Sequence, residues 1–400
     1  MIRHYTMPFS TIVMIMAMLS SCGKKFTPLH FTVTNLLSID RKSETISIPI
    51  SKISSSGEKI ECENLQIKDG DKILVTQLVD NDLDGSIDEL LFQTDIKGNK
   101  EKNFTIELTE KEASQLSANN ITTYSRFVPE RIDDYAWEND RVAFRTYGPK
   151  AQQITESGQP GGTLTSGMDC WLKRVNYSVI DKWYKKNVDS AGYYHVDHGE
   201  GYDPYHVGNS RGCGGIGIWN NDSLYVSKNF THYKTIATGP IRTIFELTYA
   251  PWQANRLMIN EKKIISLDLG SNLSRYEITT TDSQTLPDIA IGITLHDKTG
   301  EVKLDSALGY FRYWELIDNT ALGTGIVIDP ATVLSAKDRR VDVEDQSHVL
   351  IITKSQQNKV IYYAGFGWVK SGQFTSQKEW DEYLENFSKR LSSPLIVKYL

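Results

Sequence analysis

The sequence predicts a mainly β protein: a large β-sandwich, preceded by a small N-terminal β domain and closed by a C-terminal helix. Three observations carry that expectation. Apolar and polar residues alternate over many short runs, turn signals such as "DG", "GSN" and "NN" separate those runs, and one long stretch near the C-terminus has helical periodicity. The helical patterns that would link parallel strands are few, which argues against an α/β organisation.

The strands follow in order. "FTIEL" sets Phe104, Ile106 and Leu108 on one face. "IRTIFELTY" aligns Ile241, Thr243, Phe245, Leu247 and Tyr249, and "DIAIGITL" aligns Ile289, Ile291, Ile293 and Leu295. "GTGIVI", "HVLIITK" and "KVIYYAGFGW" continue the series. In "TSQKEWDEYLENFSKRL", Ser376 and Glu379 form a capping box, and Trp380, Tyr383, Leu384, Phe387 and Leu391 form one apolar stripe. That helix packs on a sheet. Composition changes near Thr122 to Pro129, from lysine- and serine-rich to aromatic- and glycine-rich, so residues 22–125 are expected as the small domain and 126–400 as the large one.

The first residues read as a leader, 1–21. A basic start and an apolar run too short to span a bilayer precede "LSSC", which resembles a bacterial lipoprotein signal with Cys22 as the acylated residue. "GKK" follows, without the acidic run of surface-exported lipoproteins, so a membrane-anchored, periplasm-facing protein is expected, touching the membrane only through its lipid. No later apolar run is long enough to cross a membrane. With 44 Lys and Arg against 50 Asp and Glu, the chain lacks the basic excess that nucleic acid demands, and no nucleic-acid partner is expected. Cys62, Cys170 and Cys213 offer no C-x-x-C, which argues against a zinc cage or a disulfide framework. Cys170 and Cys213 either pair or remain buried thiols.

"DNDLDGSID" places Asp80, Asp82, Asp84 and Asp88 at the spacing of a calcium loop, with Gly85 at the turn. Leu91 occupies the twelfth position, where an EF-hand needs glutamate, and strands flank the loop. Calcium is therefore a candidate cofactor, and the alternative is a solvated Asp-Gly hairpin turn. No organic cofactor is expected: "GCGGIG" lacks the strand–turn–helix context of a dinucleotide site, and "GNSRG" around Ser210 lacks that of a serine nucleophile.

The richest stretch is "HVDHGEGYDPYHVGNSRGCGG", His195 to Gly215. Its histidines and tyrosines beside carboxylates suit proton transfer, with His195, His198, Tyr202 and His206 as candidate catalytic groups and Tyr205 as a further proton donor. A metal site, or a loop ordered by its own polar groups, are the competing readings. Upstream, Arg141 and Arg145 share one strand face, and Trp171, Lys173, Trp183 and Tyr184 follow. With Arg211 these are candidate substrate-binding residues, because rings stack on a sugar while a guanidinium clamps its carboxylate. The alternative is core tryptophans with surface cations.

"WENDRVAFRTYGP", "SGMDCWLKRV", "DKWY", "YHVDHGEGYDPYHVG", "GCGG" and "TGPIRTIFELTY", in this order, resemble the bacterial family filed as domain of unknown function 4861. The resemblance implies a galactose-mutarotase-like β-sandwich and a role in degrading polysaccharides, often uronate-containing, with an acidic oligosaccharide as substrate. It implies no catalytic residue. Three functions follow. One is a lyase or isomerase acting on uronic-acid sugars, with Arg145 or Arg211 neutralising the carboxylate while a base removes the α proton. Another is a glycoside hydrolase using Asp197 and Glu200. The third is a non-catalytic glycan-binding lipoprotein.

Overall fold

The computed structural model describes residues 26–53, 60–109, 121–281 and 285–400. Cys22 and the leader lie outside the described residues. Among the described residues no helix is long and apolar enough to cross a membrane.

The N-terminal region packs two antiparallel sheets. Leu29–Asn35 lies between Lys100–Leu108 and Ile396–Tyr399 in a five-stranded sheet, and Arg41–Pro49, Glu89–Ile96 and Thr76–Val79 form a three-stranded one. Phe31, Phe92 and Phe104 meet between them, with ring centroids 5.0–5.9 Å apart. Phe104 and Ile106 face inward as their alternation requires, while Leu108 at the strand end is exposed.

Two expected boundaries move. Val33 pairs with Val397, so the chain's last strand completes the N-terminal sheet rather than the large body. Tyr124–Val128 pairs with Asp134–Glu138, so the large body begins before residue 126. The first depends on pairing across more than 350 residues, which no local pattern shows; the second is a local hairpin that the composition change near Thr122 to Pro129 cut through.

The large body contains an eight-stranded antiparallel sheet and two five-stranded sheets. The alternation in Arg242–Tyr249 buries Thr243, Phe245, Leu247 and Tyr249, and Ile289–Thr294 is buried on both faces. Gln377–Ser392 is the expected helix. Ser376 accepts the Glu379 N–H at 3.3 Å, and Trp380 and Leu384 are buried against the eight-stranded sheet. Two helices of the large body that the strand pattern did not show, Pro149–Glu156 and Ile180–Asp189, precede the segment of interest. Gln77 docks the two regions: its side chain receives the N–H groups of Ile241 and Arg242 and donates to the Arg242 carbonyl.

Candidate functional site

The segment from Tyr193 to Gly212 begins as a 3-10 turn at Tyr193–His195, makes a two-residue strand at Gly201–Tyr202 against Leu172 and Lys173, and ends in the strand Cys213–Asn220. Gly201 has φ +109°, and a Cβ there would lie 2.0 Å from the Leu172 carbonyl oxygen. The glycine therefore serves close backbone approach. Ser210 is fully buried, and the chain after it is strand, so neither a nucleophile elbow nor a dinucleotide turn forms.

Inward of this segment lies an ion cluster. Arg145 donates from Nε to Asp169 at 2.6 Å and from Nη2 to Asp203 at 2.7 Å, with Asp134 at 3.7 Å. The rings of Trp171, Tyr147 and Tyr194 surround the guanidinium at 5.2–5.5 Å. Burial pushes the Asp134 carboxyl up to about 6 and Asp203 well above the usual carboxylate range, against the pull of Arg145.

This arrangement corrects four expectations about substrate binding. Arg145 is 4% exposed, and protein carboxylates occupy its fork. Trp171 is buried in a box with Trp183, Tyr184 and Tyr194, so it offers no open ring. Lys173 is buried on Glu138 at 2.7 Å and on two backbone carbonyls. Arg211 is buried and donates to Thr165, Ser166 and backbone oxygens, and burial lowers its pKa to about 10. Each side chain is consumed by the fold. Arg141 differs, being half-buried in the wall of a cavity.

The proposed acid pair is also spent. Burial tends to raise Asp197, yet Lys370 at 2.8 Å, the N–H groups of Gly199 and Gly201, and Arg174 hold it at about 2. Glu200 is likewise held low by Lys182 and Tyr177, despite partial burial. A general acid needs a raised pKa, so this pair does not suit glycoside hydrolysis.

On the outer side of the segment one imidazole stays accessible above a largely buried layer. His206 is exposed, and its Nε2 lies 3.1 Å from Asp345 Oδ1. Asp345 Oδ2 accepts the Asn209 N–H at 2.8 Å, and a Cβ on Gly208, at φ +50°, would fall 1.9 Å from that same oxygen. Beneath, His296 is gripped at both ring nitrogens: Nδ1 lies 2.8 Å from Glu315, and Nε2 lies 2.8 Å from the His206 carbonyl oxygen. Burial works against its charge, but Glu315 and that carbonyl outweigh it and raise its pKa above 6.5. Its ring meets Tyr205 edge-on at 4.6 Å. The Tyr205 hydroxyl is buried without a hydrogen-bond partner. Tyr202 is itself buried at 8% exposure and donates to Asp318 at 2.9 Å, and Lys370 lies 6.0 Å from its ring and 5.7 Å from Trp368.

The remaining candidates stand apart from this rim by their partners. His195 turns Nδ1 to the Asp203 carbonyl at 2.9 Å, and His198 is exposed and stacked on Tyr193 at 4.0 Å. Sequence reasoning missed His296, Glu315, Asp318, Asp345 and Lys370. Each sits at or near a strand end far along the chain, and only the fold joins them to the loop.

In the N-terminal region, Asp80, Asp82 and Asp88 bring carboxylate oxygens within 4.8 Å of one another. Asp84 does not join them; its carboxylate accepts the Ser86 N–H at 2.7 Å. Three converging carboxylates fit calcium in kind, with the rest of its six to eight oxygens left to backbone and water. Cys170 and Cys213 are buried free thiols, and burial beside Cys213 pushes the Cys170 thiol well up.

The family described as "Domain of unknown function (DUF4861)" matches residues 33–397, and the chain belongs to it. It is 47% identical over 382 residues to an uncharacterized protein, P7, of Formosa agariphila, covering 94% of this chain and 95% of that relative. Among solved structures it is similar to a protein in the glycosyl hydrolase family 38 from Enterococcus faecalis, with TM-score 0.50 and 9% identity over 93% of this chain. An α-mannosidase from Enterococcus faecalis V583 gives TM-score 0.45 at 9% identity over the same share. The chain spans about half the length of these two proteins (47% and 46%), and the first likeness concerns the fold.

Proposed function

We propose that this DUF4861 protein is a carbohydrate-active enzyme of lyase or isomerase type, with a galactose-mutarotase-like sandwich, that acts on uronic-acid oligosaccharides at the His206 rim. One observation carries the reading: His206 is an exposed imidazole on an over-determined loop. Asp345 orients its ring, Gly208 admits that carboxylate, and the Glu315–His296 pair holds its backbone carbonyl. A loop fixed this firmly around an exposed titratable group is organised for proton transfer. In an elimination, His206 takes the proton α to the carboxylate, the β C–O bond breaks, and Tyr202 protonates the departing oxygen. Lys370, exposed beside Tyr202, turns from Asp197 to the substrate carboxylate in place of the buried Arg145. The protein is further proposed to be a periplasm-facing lipoprotein anchored through Cys22, with calcium at Asp80, Asp82 and Asp88.

A non-catalytic glycan-binding role has its own support, since His195 turns to the Asp203 carbonyl and His198 rests on Tyr193, so both order the loop. Incubation with a panel of uronate oligosaccharides, followed by ultraviolet absorbance of an unsaturated product, decides between them. Product formed by the wild type and lost in His206→Ala supports the enzyme. No unsaturated or isomerised product from any acidic oligosaccharide, with binding retained, leaves the binding role.

A further inference from the structure

A second site lies where the N-terminal region, the eight-stranded sheet and the C-terminal helix meet. A cavity of about 660 Å³ opens there, within the usual range for ligand pockets. Arg41, Lys42, Arg141, Arg242, Arg275 and Arg390 line it, against Asp40, Glu44 and Asp268. The carboxylates are committed. Asp268 holds Arg242 in a two-point clamp at 2.5 and 2.7 Å, Glu44 is shared by Arg390 at 2.7 Å and Arg41 at 3.8 Å, and Asp40 binds Lys97 at 2.6 Å.

Glu277 takes Arg275 at 2.6 Å and reaches Lys359 at 3.6 Å, which leaves Arg141 and Lys42 as the surplus positive charge. The carboxylate paired with Arg141 is Asp140, at 3.9 Å, its Nη1 reaches Asn272 at 3.3 Å, and its buried Nε has no hydrogen-bond partner. Lys42 is exposed on the same wall. Burial lowers the pKa of Arg41, and the charge of Arg390 lowers it further. Such a cavity attracts an anion, and guanidinium forks suit planar or tetrahedral oxyanions.

The cavity is also long and ring-walled. Tyr363, Tyr383 and Phe387 line it, and Tyr363 and Leu391 also line a neighbouring cavity of about 870 Å³ that contains Lys354 and Lys359. The two cavities adjoin at Tyr363 and Leu391, beside the C-terminal helix, and together are treated as one groove. Aromatic walls with spaced cations match a sugar chain bearing repeated negative groups.

We infer that this groove binds an anionic oligosaccharide, carboxylated or sulfated, as a holding site that shares no residue with the His206 rim. The anion recognition stands on the groove itself; the sugar rests on the carbohydrate reading above. Titration calorimetry on the full chain tests it, with a tetragalacturonate, a sulfated carrageenan tetrasaccharide, neutral cellotetraose and a single-stranded oligonucleotide as probes. One or both anionic sugars should bind, cellotetraose should not, and added salt should weaken binding. Which anionic sugar binds tells carboxylate from sulfate. Arg141→Gln with Lys42→Gln should lower the affinity at least tenfold, and Lys354→Gln, at an exposed position, should lower it severalfold if the double variant melts early. His206→Ala should lose turnover and keep this binding, so the two sites fail separately. The inference is overturned if neither anionic sugar binds, if the oligonucleotide binds as tightly, or if folded variants keep wild-type affinity.

Discussion

Asp203 and His206 are three residues apart on one loop and have opposite fates. Asp203 enters a sealed cluster in which Arg145 and Arg131 face Asp134, Asp169 and Asp203, one negative charge in excess. Asp134 Oδ1, Asp169 Oδ1, Asp203 Oδ1 and Arg131 Nη1 are buried there without hydrogen-bond partners. Burial offsets the excess by raising two of the carboxyls toward the protonated form. His206 turns outward, where a single carboxylate orients it and solvent reaches it. Both places pair an aspartate with a basic side chain. What separates structure from chemistry is whether the partner set is closed.

The most severe test of that contrast is Arg145→Met. Removing one partner of a buried ion cluster leaves uncompensated charge, which costs about 3–5 kcal/mol. Urea denaturation should show this loss, and a change below about 1 kcal/mol would mean the cluster is not sealed. Next in size is a pH effect at a second buried group. His348 is 1% exposed, and its Nε2 accepts the Arg211 N–H at 3.1 Å. Burial, with the charge of Arg211, lowers its pKa from 6.5 to about 3. A depressed histidine contributes stability that is complete above pH 6.5 and is lost as pH falls toward the folded value. Between pH 7 and 4 the wild type should lose roughly 3 kcal/mol more than His348→Gln. Parallel pH–stability curves would show the ring to be hydrated.

The contrast also explains what the sequence could and could not show. Alternation in Arg242–Tyr249 and the cap at Ser376 are local patterns, and both elements formed where expected. "DKWY" is local too, yet it lies on a helix whose Trp183 and Tyr184 close over Trp171. Rings and cations in one strand segment look alike whether they face a sugar or each other. Deciding needs the partners Asp203, Asp134 and Glu138, which the fold brings in from the loop and from the neighbouring strand Asp134–Glu138. His296 and Asp345 were illegible for the same reason: each lies in a short turn with no motif, about 90 and 140 residues from His206.

On the open side, His206→Ala should cut turnover on an acidic oligosaccharide about a hundredfold, while stability changes by less than about 0.5 kcal/mol. Asp345→Asn should lower turnover less, since it keeps an oriented side chain near the ring. A His206 variant that melts early and retains activity in its folded fraction would put this rim in the same class as the Arg145 cluster. Smaller again is the calcium effect. Excess calcium should raise the melting temperature by roughly 2–4 °C over chelator, and Asp82→Asn should reduce that shift. Coincident curves would leave Asp80, Asp82 and Asp88 as a solvated hairpin turn.

The smallest expected effect is at His198, and it separates position in the loop from position in the site. His198 belongs to the same histidine-rich run as His206, so composition alone ranks the two equally. Its side chain is exposed and its ring rests on Tyr193, at 4.0 Å and 12° between planes. An exposed stacked pair is worth at most a few tenths of a kcal/mol in most settings. His198→Ala should therefore change stability by less than about 0.5 kcal/mol and leave turnover within about twofold, where His206→Ala loses a hundredfold. Paired assays of both variants on one substrate measure the ratio directly. Equal losses would extend the reacting surface to the Tyr193 end of the loop and erase the division between its two sides.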